Sequence, residues 1–258
     1  PRLPWDRVSL SHILIDGEDA ETLQLRPPTW YEDHDVDVRV GTKVVFLDTS
    51  RNLVRLDDDS LLEYDRCVLA TGSDALMPPI PGIDQDGVVA FRSPEDCATI
   101  QEIADAGKAC AVIGGGLLGL DAARGIASRG APVTVVHLMD RLMERQLDAS
   151  AAALLAPAME DLDVKVLLEK STETILGDEH GHVTGLKFTD GEVLDAELVV
   201  IEDGIKSRTD LAKTAGLEVH RGIVVDDRLQ TSAPNVFAVG ECAEHRGMVY
   251  GIVAPIHG

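Results

Sequence analysis

Ala109-Cys110-Ala111-Val112-Ile113 is a short apolar run that runs straight into Gly114-Gly115-Gly116-Leu117-Leu118-Gly119. A helical pattern with small residues on one side follows to Ser128, and then a second apolar run, Val133-Thr134-Val135-Val136. Strand, helix and strand in that order make a complete βαβ unit, which commits this part of the chain to a parallel sheet. The glycines at 114, 116 and 119 fit G-x-G-x-x-G, and here the pattern sits between a strand and a helix, the context that gives it meaning. Gly114 permits the sharp turn, Gly116 lets the backbone approach a pyrophosphate, and Gly119 brings helix and strand together. An anion would sit at the helix N-terminus, on unpaired N–H groups and the positive end of the helix dipole. Gly114, Gly116, Leu117, Leu118 and Gly119 are therefore candidate dinucleotide-binding residues.

Such sites usually carry an acid at the end of the second strand to accept the ribose hydroxyls, but this chain has His137 there. Two readings follow. Asp140, three residues on, substitutes for the acid, or His137 and Arg141 favour the 2′-phosphate of NADP. The choice between NADH and NADPH stays open at this point, as does a passive strand-end role for His137.

Around this unit the pattern extends in both directions. Lys43–Leu47 and Leu53–Leu56 read as strands of a meander, and Asp65 to Gly72 as a buried strand ending in a tight glycine turn. Pro78, Pro79 and Pro81 exclude a helix or central strand and mark a crossover between domains. Ser93-Pro94-Glu95-Asp96 has the cap, first-turn proline and acids that open a helix, expected to run to about Ala106. A helix near 148–161, a strand at Val164–Leu168 and strands at 183–189 and 197–201 are expected to extend the sheet.

Composition narrows the function. With 45 Asp and Glu against 23 Lys and Arg, the formal charge is −22, which opposes any sequence-independent grip on nucleic acid. The acidity reads as a solvated face, with docking of a basic electron-transfer partner as the alternative. No apolar run approaches the roughly 20 residues of a membrane span, and the first residues lack the order of a signal peptide, so a cytoplasmic protein is expected. Cys67, Cys97, Cys110 and Cys242 are too dispersed for a Cys-x-x-Cys pair or a metal site. Cys67 and Cys110 fall in strand-like runs and read as core residues.

Several further segments carry a family resemblance. They are the opening Pro1-Arg2-Leu3-Pro4-Trp5-Asp6-Arg7-Val8-Ser9-Leu10-Ser11, Ala70-Thr71-Gly72-Ser73, Phe91-Arg92-Ser93-Pro94-Glu95-Asp96, residues 114–121, residues 231–243 and residues 251–255. Together they resemble the pyridine nucleotide-disulfide oxidoreductase-like flavoproteins, and most closely the FAD/NAD(P)-binding region of NAD(P)H-dependent nitrite reductase large subunits. The resemblance implies FAD and NAD(P)H as cofactors, with Glu241, after Gly240, at the flavin ribityl chain. It also implies that Arg2 lies near the FAD adenosine, that Ala70, Thr71 and Gly72 form a backbone turn close to the dinucleotide, and that Gly204 marks the passage by the nicotinamide.

The expected fold class is therefore α/β, with two Rossmann-like domains and the NAD(P) domain inserted in a truncated FAD domain. Residues 1–90 begin the FAD domain, 91–206 form the NAD(P) domain, and 207–258 are the return segment. The family's first strand–glycine loop–helix unit is expected to be missing before Pro1. The implied activity is hydride transfer from NAD(P)H to FAD, then electron export to an iron–sulfur or siroheme acceptor not in this chain. No catalytic side chain is assigned, because the cofactors carry the chemistry. No metal is expected, since no cysteine cluster could bind either centre. A homodimer is an allowed assembly. Two rivals stand: a rubredoxin or ferredoxin reductase or NADH oxidase, and a nucleotide-binding or interaction module without turnover. The second draws on the expected absence of the first unit and on Glu202-Asp203, where relatives have small residues; Lys206-Ser207-Arg208, in place of their proline-containing turn, weakens the reductase reading further.

Overall fold

The computed structural model describes residues 2–250; Pro1 and the resemblance segment at 251–255 lie outside the described residues. The described chain divides into two compact units, one of residues 2–5, 26–74 and 205–250, the other of residues 6–25 and 75–204.

The second unit is built on a five-stranded sheet. Its strands are β1 (Val88–Ala90), β2 (Cys110–Ile113), β3 (Val133–Val136), β4 (Val164–Leu167) and β5 (Leu198–Ile201). They lie in the order β1-β5-β2-β3-β4, and every pairing is parallel. A parallel sheet covered on both faces needs apolar side chains on both, which is why β3 and β5 are buried along their whole length and do not alternate. From β2 the order runs one way to β3 and β4 and the other way to β5 and β1. The direction reverses between β2 and β5, so the carboxyl ends of those two strands frame the position where open α/β sheets take their ligands.

Helices cover the sheet. Helix α1 is Leu10–Asp16, α2 is Pro94–Asp105, α3 is Leu117–Ser128 and α4 is Ala149–Glu160. α2 opens on a complete capping box, with Ser93 Oγ accepting the Asp96 N–H and the Asp96 carboxylate accepting the Ser93 N–H, and has Pro94 in its first turn. α3 buries Gly119, Ala122, Ala123, Gly125 and Ile126, small enough to bring the helix close to its neighbours. α1 docks on α2 and α3 through Leu10, Ile13 and Leu14. A Cβ on Gly125 would stand 2.5 Å from the Leu14 Cβ, so α1 and α3 meet at that glycine. Gln101 Nε2 and Arg129 Nη1 donate to the Ile13 and Leu14 carbonyls at 2.8 and 3.1 Å, satisfying carbonyls that have no partner within so short a helix.

One expectation is corrected. The stretch expected as a sheet extension at 183–189 is the middle strand, Val183–Phe188, of a separate antiparallel sheet between Thr172–Gly177 and Val193–Asp195. Its burial pattern differs from that of the parallel strands: Val183, Leu186 and Phe188 are buried, while Thr184 is exposed and Lys187 half-buried, so it lacks the continuous burial of β3 and β5.

The first unit holds the expected meander, Val44–Asp48, Leu53–Leu56 and Leu61–Glu63, all antiparallel. Beside it, Cys67–Leu69 pairs in parallel with Val236–Ala238. Leu47, Leu69, Ile223, Val236, Ala238 and Cys242 are among its core. The strand ending at Leu69 is less buried than expected: Cys67 is half-buried and Val68 is 57% exposed.

Candidate functional site

The glycine loop follows directly from β2. Gly114 donates to the Val136 carbonyl at 3.0 Å, tying the loop to the end of β3, and adopts φ +124°, where a side chain is strained. A Cβ there would also overlap the Glu202 carbonyl oxygen just past β5. On Gly119 it would overlap the Gly114 carbonyl, so that glycine sets how closely α3 approaches β2. Gly116 differs: a Cβ there would meet nothing within 4 Å. Its absence of a side chain is not required by packing, which leaves clear space in front of the α3 N-terminus. Gly116 is also the α3 N-cap and makes no side-chain cap bond. Leu117 is 52% exposed at this edge and Leu118 is half-buried.

The middle glycine is packed from one side. A Cβ on Gly115 would lie 2.6 Å from Leu142 Cδ2 and 2.7 Å from His137 Cγ. Its N–H donates to His137 Nδ1 at 3.0 Å, and its carbonyl accepts the Met143 N–H at 2.9 Å. His137 Nε2 stands 3.1 Å from Glu144 Oε2. The segment after β3 thus folds back on the glycine loop, with Leu142 fully buried and Leu138 and Met139 exposed. Asp140 is exposed and its Oδ1 is 3.0 Å from Arg141 Nη1.

Glu202 turns inward and Asp203 is exposed, so only one of the two acids reaches the interior of the unit. Glu202 Oε1 accepts the Phe91 N–H at 3.1 Å. Burial pushes its carboxyl up to about 7, while the Phe91 N–H, Arg92 and Arg7 favour the charged form and Asp96 opposes it. Gly204 follows at φ +101°, its carbonyl accepting the Leu76 N–H at 2.9 Å.

In the first unit two strand ends lie side by side. Thr71 Oγ1 donates to the Arg208 carbonyl at 2.7 Å and Arg208 N–H donates back to the Gly72 carbonyl at 2.9 Å. Val239 N–H reaches the Leu69 carbonyl at 3.0 Å, which sets the turn at Ala70, Thr71 and Gly72 beside Gly240 and Glu241. Glu241 is buried: Ser73 Oγ donates to its Oε2 and Ser207 Oγ to its backbone carbonyl, each at 2.7 Å. Arg2 is exposed. All four cysteines are free thiols, and Cys242 points its Sγ at the Val239 and Leu69 carbonyls, 3.2 and 3.3 Å away.

The structure adds Ser73 and Ser207 as hydrogen-bond partners of Glu241, Phe91 as that of Glu202 and Glu144 as that of His137. Ser73 ended a segment already singled out, whereas Glu144 stands seven residues beyond His137 and carries no motif. Among the described residues the one cluster with metal-ligand spacing is His12, Asp16 and Glu18, all exposed. No helix there is long and apolar enough to cross a membrane.

Comparison with known proteins places these features. The family described as pyridine nucleotide-disulphide oxidoreductase matches residues 1–254. The chain is 45% identical over 257 residues to nitrite reductase [NAD(P)H] of Bacillus subtilis strain 168, covering 100% of this chain and 32% of that one. It is 41% identical to the assimilatory nitrate reductase electron transfer subunit of the same strain, covering 100% of this chain and 33% of the relative. The chain thus spans about a third of the length of these curated relatives. Among solved structures, the ferredoxin reductase for the CYP199A2 system of Rhodopseudomonas palustris superposes with a TM-score of 0.89 at 28% identity, over 95% of this chain and 60% of that one. From its α/β sheet and glycine loop to its sequence relatives, the chain belongs to the pyridine nucleotide-disulphide oxidoreductase family.

Proposed function

We propose that the chain is the electron-input module of an NAD(P)H-dependent reductase of the nitrite reductase type, working in nitrogen metabolism in the cytoplasm. The open space at Gly116, before the N-terminus of α3 and at the reversal of strand order, carries this reading: it fits a pyrophosphate that packing does not otherwise fill. Gly114, Gly119, Leu117 and Leu118 shape that cradle, and His137, Asp140 and Gly204 border the same nucleotide-binding domain, proposed as residues 91–206 joined by β1 and α1 of the same compact unit. Arg2, Ala70, Thr71, Gly72, Gly240 and Glu241 are proposed to hold FAD, in the domain formed by 1–90 and 207–258.

When bound, FAD would take a hydride from NAD(P)H and release its electrons singly. The chain's part is to bind and orient. The α3 N-terminal amides would hold the pyrophosphate, and Glu241, which accepts the Ser73 hydroxyl, would meet the flavin ribityl chain. The electron acceptor is proposed to be an iron–sulfur or siroheme centre, a reading supported by the nitrate reductase relative, which is an electron transfer subunit.

The test is the visible spectrum of the chain purified with FAD and freed of unbound flavin, before and after anaerobic NADH or NADPH. A retained flavin band that bleaches supports the reading. Folded, colourless protein that still binds a pyridine nucleotide supports a binding module instead, the reading favoured by the Glu202 carboxyl beside the glycine loop.

A further inference from the structure

We infer that Glu144, positioned by His137, accepts the adenosine ribose hydroxyls of the dinucleotide and selects NADH over NADPH; the inference rests on the proposed dinucleotide site. In a glycine-loop unit of this kind the ribose is usually read by an acid at the end of the second strand, which this chain lacks there, so another carboxylate has to reach the same hydroxyls if NADH is to be favoured. His137, which holds the strand-end position, is fully engaged. Because Nδ1 accepts the Gly115 N–H, the ring proton rests on Nε2, which then donates to Glu144 Oε2. Neither ring nitrogen is left for a ligand, and the residue is only 9% exposed.

The same two bonds link the glycine loop to a carboxylate. The chain Gly115 N–H to His137 to Glu144 links the middle of the loop to the segment that follows β3. It is closed a second time by Met143, whose N–H bonds the Gly115 carbonyl one residue before Glu144. Leu142, fully buried beneath Gly115, anchors the segment between them. Glu144 is therefore carried on a backbone stapled to the phosphate-binding loop, as a reading residue has to be.

Its chemistry fits. With Oε2 accepting from His137, Oε1 has Arg145 Nε at 3.9 Å, beyond hydrogen-bond range. That oxygen can accept ribose hydroxyls, and the Glu144 side chain is 23% exposed, sheltered but reachable. Asp140 is the weaker candidate: its side chain is 64% exposed and paired with Arg141. Arg145 is 87% exposed, so it has no fixed geometry for a 2′-phosphate.

Calorimetric titration of the full chain with NADH and with NADPH tests the inference, alongside Glu144→Gln and Asp140→Asn, each checked by circular dichroism. The expected result is NADH at least about tenfold tighter in the wild type, the size of one charge-assisted hydrogen bond. Glu144→Gln should weaken NADH and leave NADPH unchanged or tighter, narrowing the ratio to within about threefold, while Asp140→Asn keeps it. A wild type that prefers NADPH or does not discriminate overturns the inference whatever the variants do. So does a Glu144→Gln protein that loses both ligands equally, or narrowing by Asp140→Asn. A wild type that binds neither nucleotide overturns the dinucleotide-site reading itself.

Discussion

Ser73 Oγ donates a 2.7 Å hydrogen bond to Glu241 Oε2, joining residues 168 positions apart inside the first unit. The parallel pairing of Cys67–Leu69 with Val236–Ala238 makes this possible, because strands running the same way bring the residues after both ends together. Both partners are buried, so truncating one removes a hydrogen bond from a group withdrawn from water. Ser73→Ala is expected to cost about 1–3 kcal/mol and lower Tm by several degrees, read by thermal denaturation. Glu241→Ala should in addition abolish flavin retention on a desalting column.

The glycine loop separates packing from ligand binding at adjacent residues. Gly116→Ala places its methyl in open space, so Tm should stay within about 1–2 °C of wild type while dinucleotide binding falls at least about tenfold. Gly115→Ala drives its methyl into His137 and Leu142, and its Tm should drop markedly, by the overpacking cost of about 1–3 kcal/mol. If Gly116→Ala were the unstable variant, the cradle would be misplaced.

Glu202 gives the chain a pH signature. Its carboxyl is raised from 4.5 to about 7, so the fold favours the protonated form. The stability this contributes is complete below pH 4.5, is lost as the pH rises through about 7, and is constant above. Glu202→Gln keeps an acceptor for the Phe91 N–H and removes the titration. It should be more stable than wild type at pH 8, by about 1–2 kcal/mol after allowance for partial exposure, with the gap closing towards pH 5. Paired melting curves across pH 5–8 measure it, and equal curves at pH 8 would refute the assignment.

Thiol chemistry should be quiet. Burial pushes the Cys97 and Cys110 thiols up to about 12 and raises Cys67 less, so little thiolate forms near neutral pH. Iodoacetamide at pH 8 should leave Cys97 and Cys110 unmodified in the native protein and label them after unfolding, as peptide mass spectrometry would show. NAD(P)H-dependent flavin bleaching, where present, should survive Cys242→Ser.

What could be read from sequence, and what could not, follows from the range of the interactions. The glycine loop was legible because turn, helix start and close packing are local and leave glycine at fixed offsets. The capping box at Ser93 and Asp96 was legible for the same reason. Val183–Phe188 was misplaced because a short strand-like run does not reveal which sheet it joins; only Thr184 and Gly185, breaking the apolar pattern, hinted at a half-covered one. The Glu144 pairing was hidden because it depends on how residues 138–147 fold back. The direction of Glu202 was likewise invisible, since its partner Phe91 follows β1, far away in the sequence. α1 left no separate signal: seven residues make too short a period, and its partner Gly125 lies in another helix.

That docking of α1 sets an order of events during synthesis. Leu14 leaves the ribosome long before Gly125 and Arg129, and at about 5–20 residues per second the helix waits several seconds or more for its receptor. A helix this short is not stable alone in water. The apolar side of residues 10–14 is therefore a nascent surface that has to be kept from wrong partners until α3 arrives, in a long-range contact that joins this segment to the middle of the second unit.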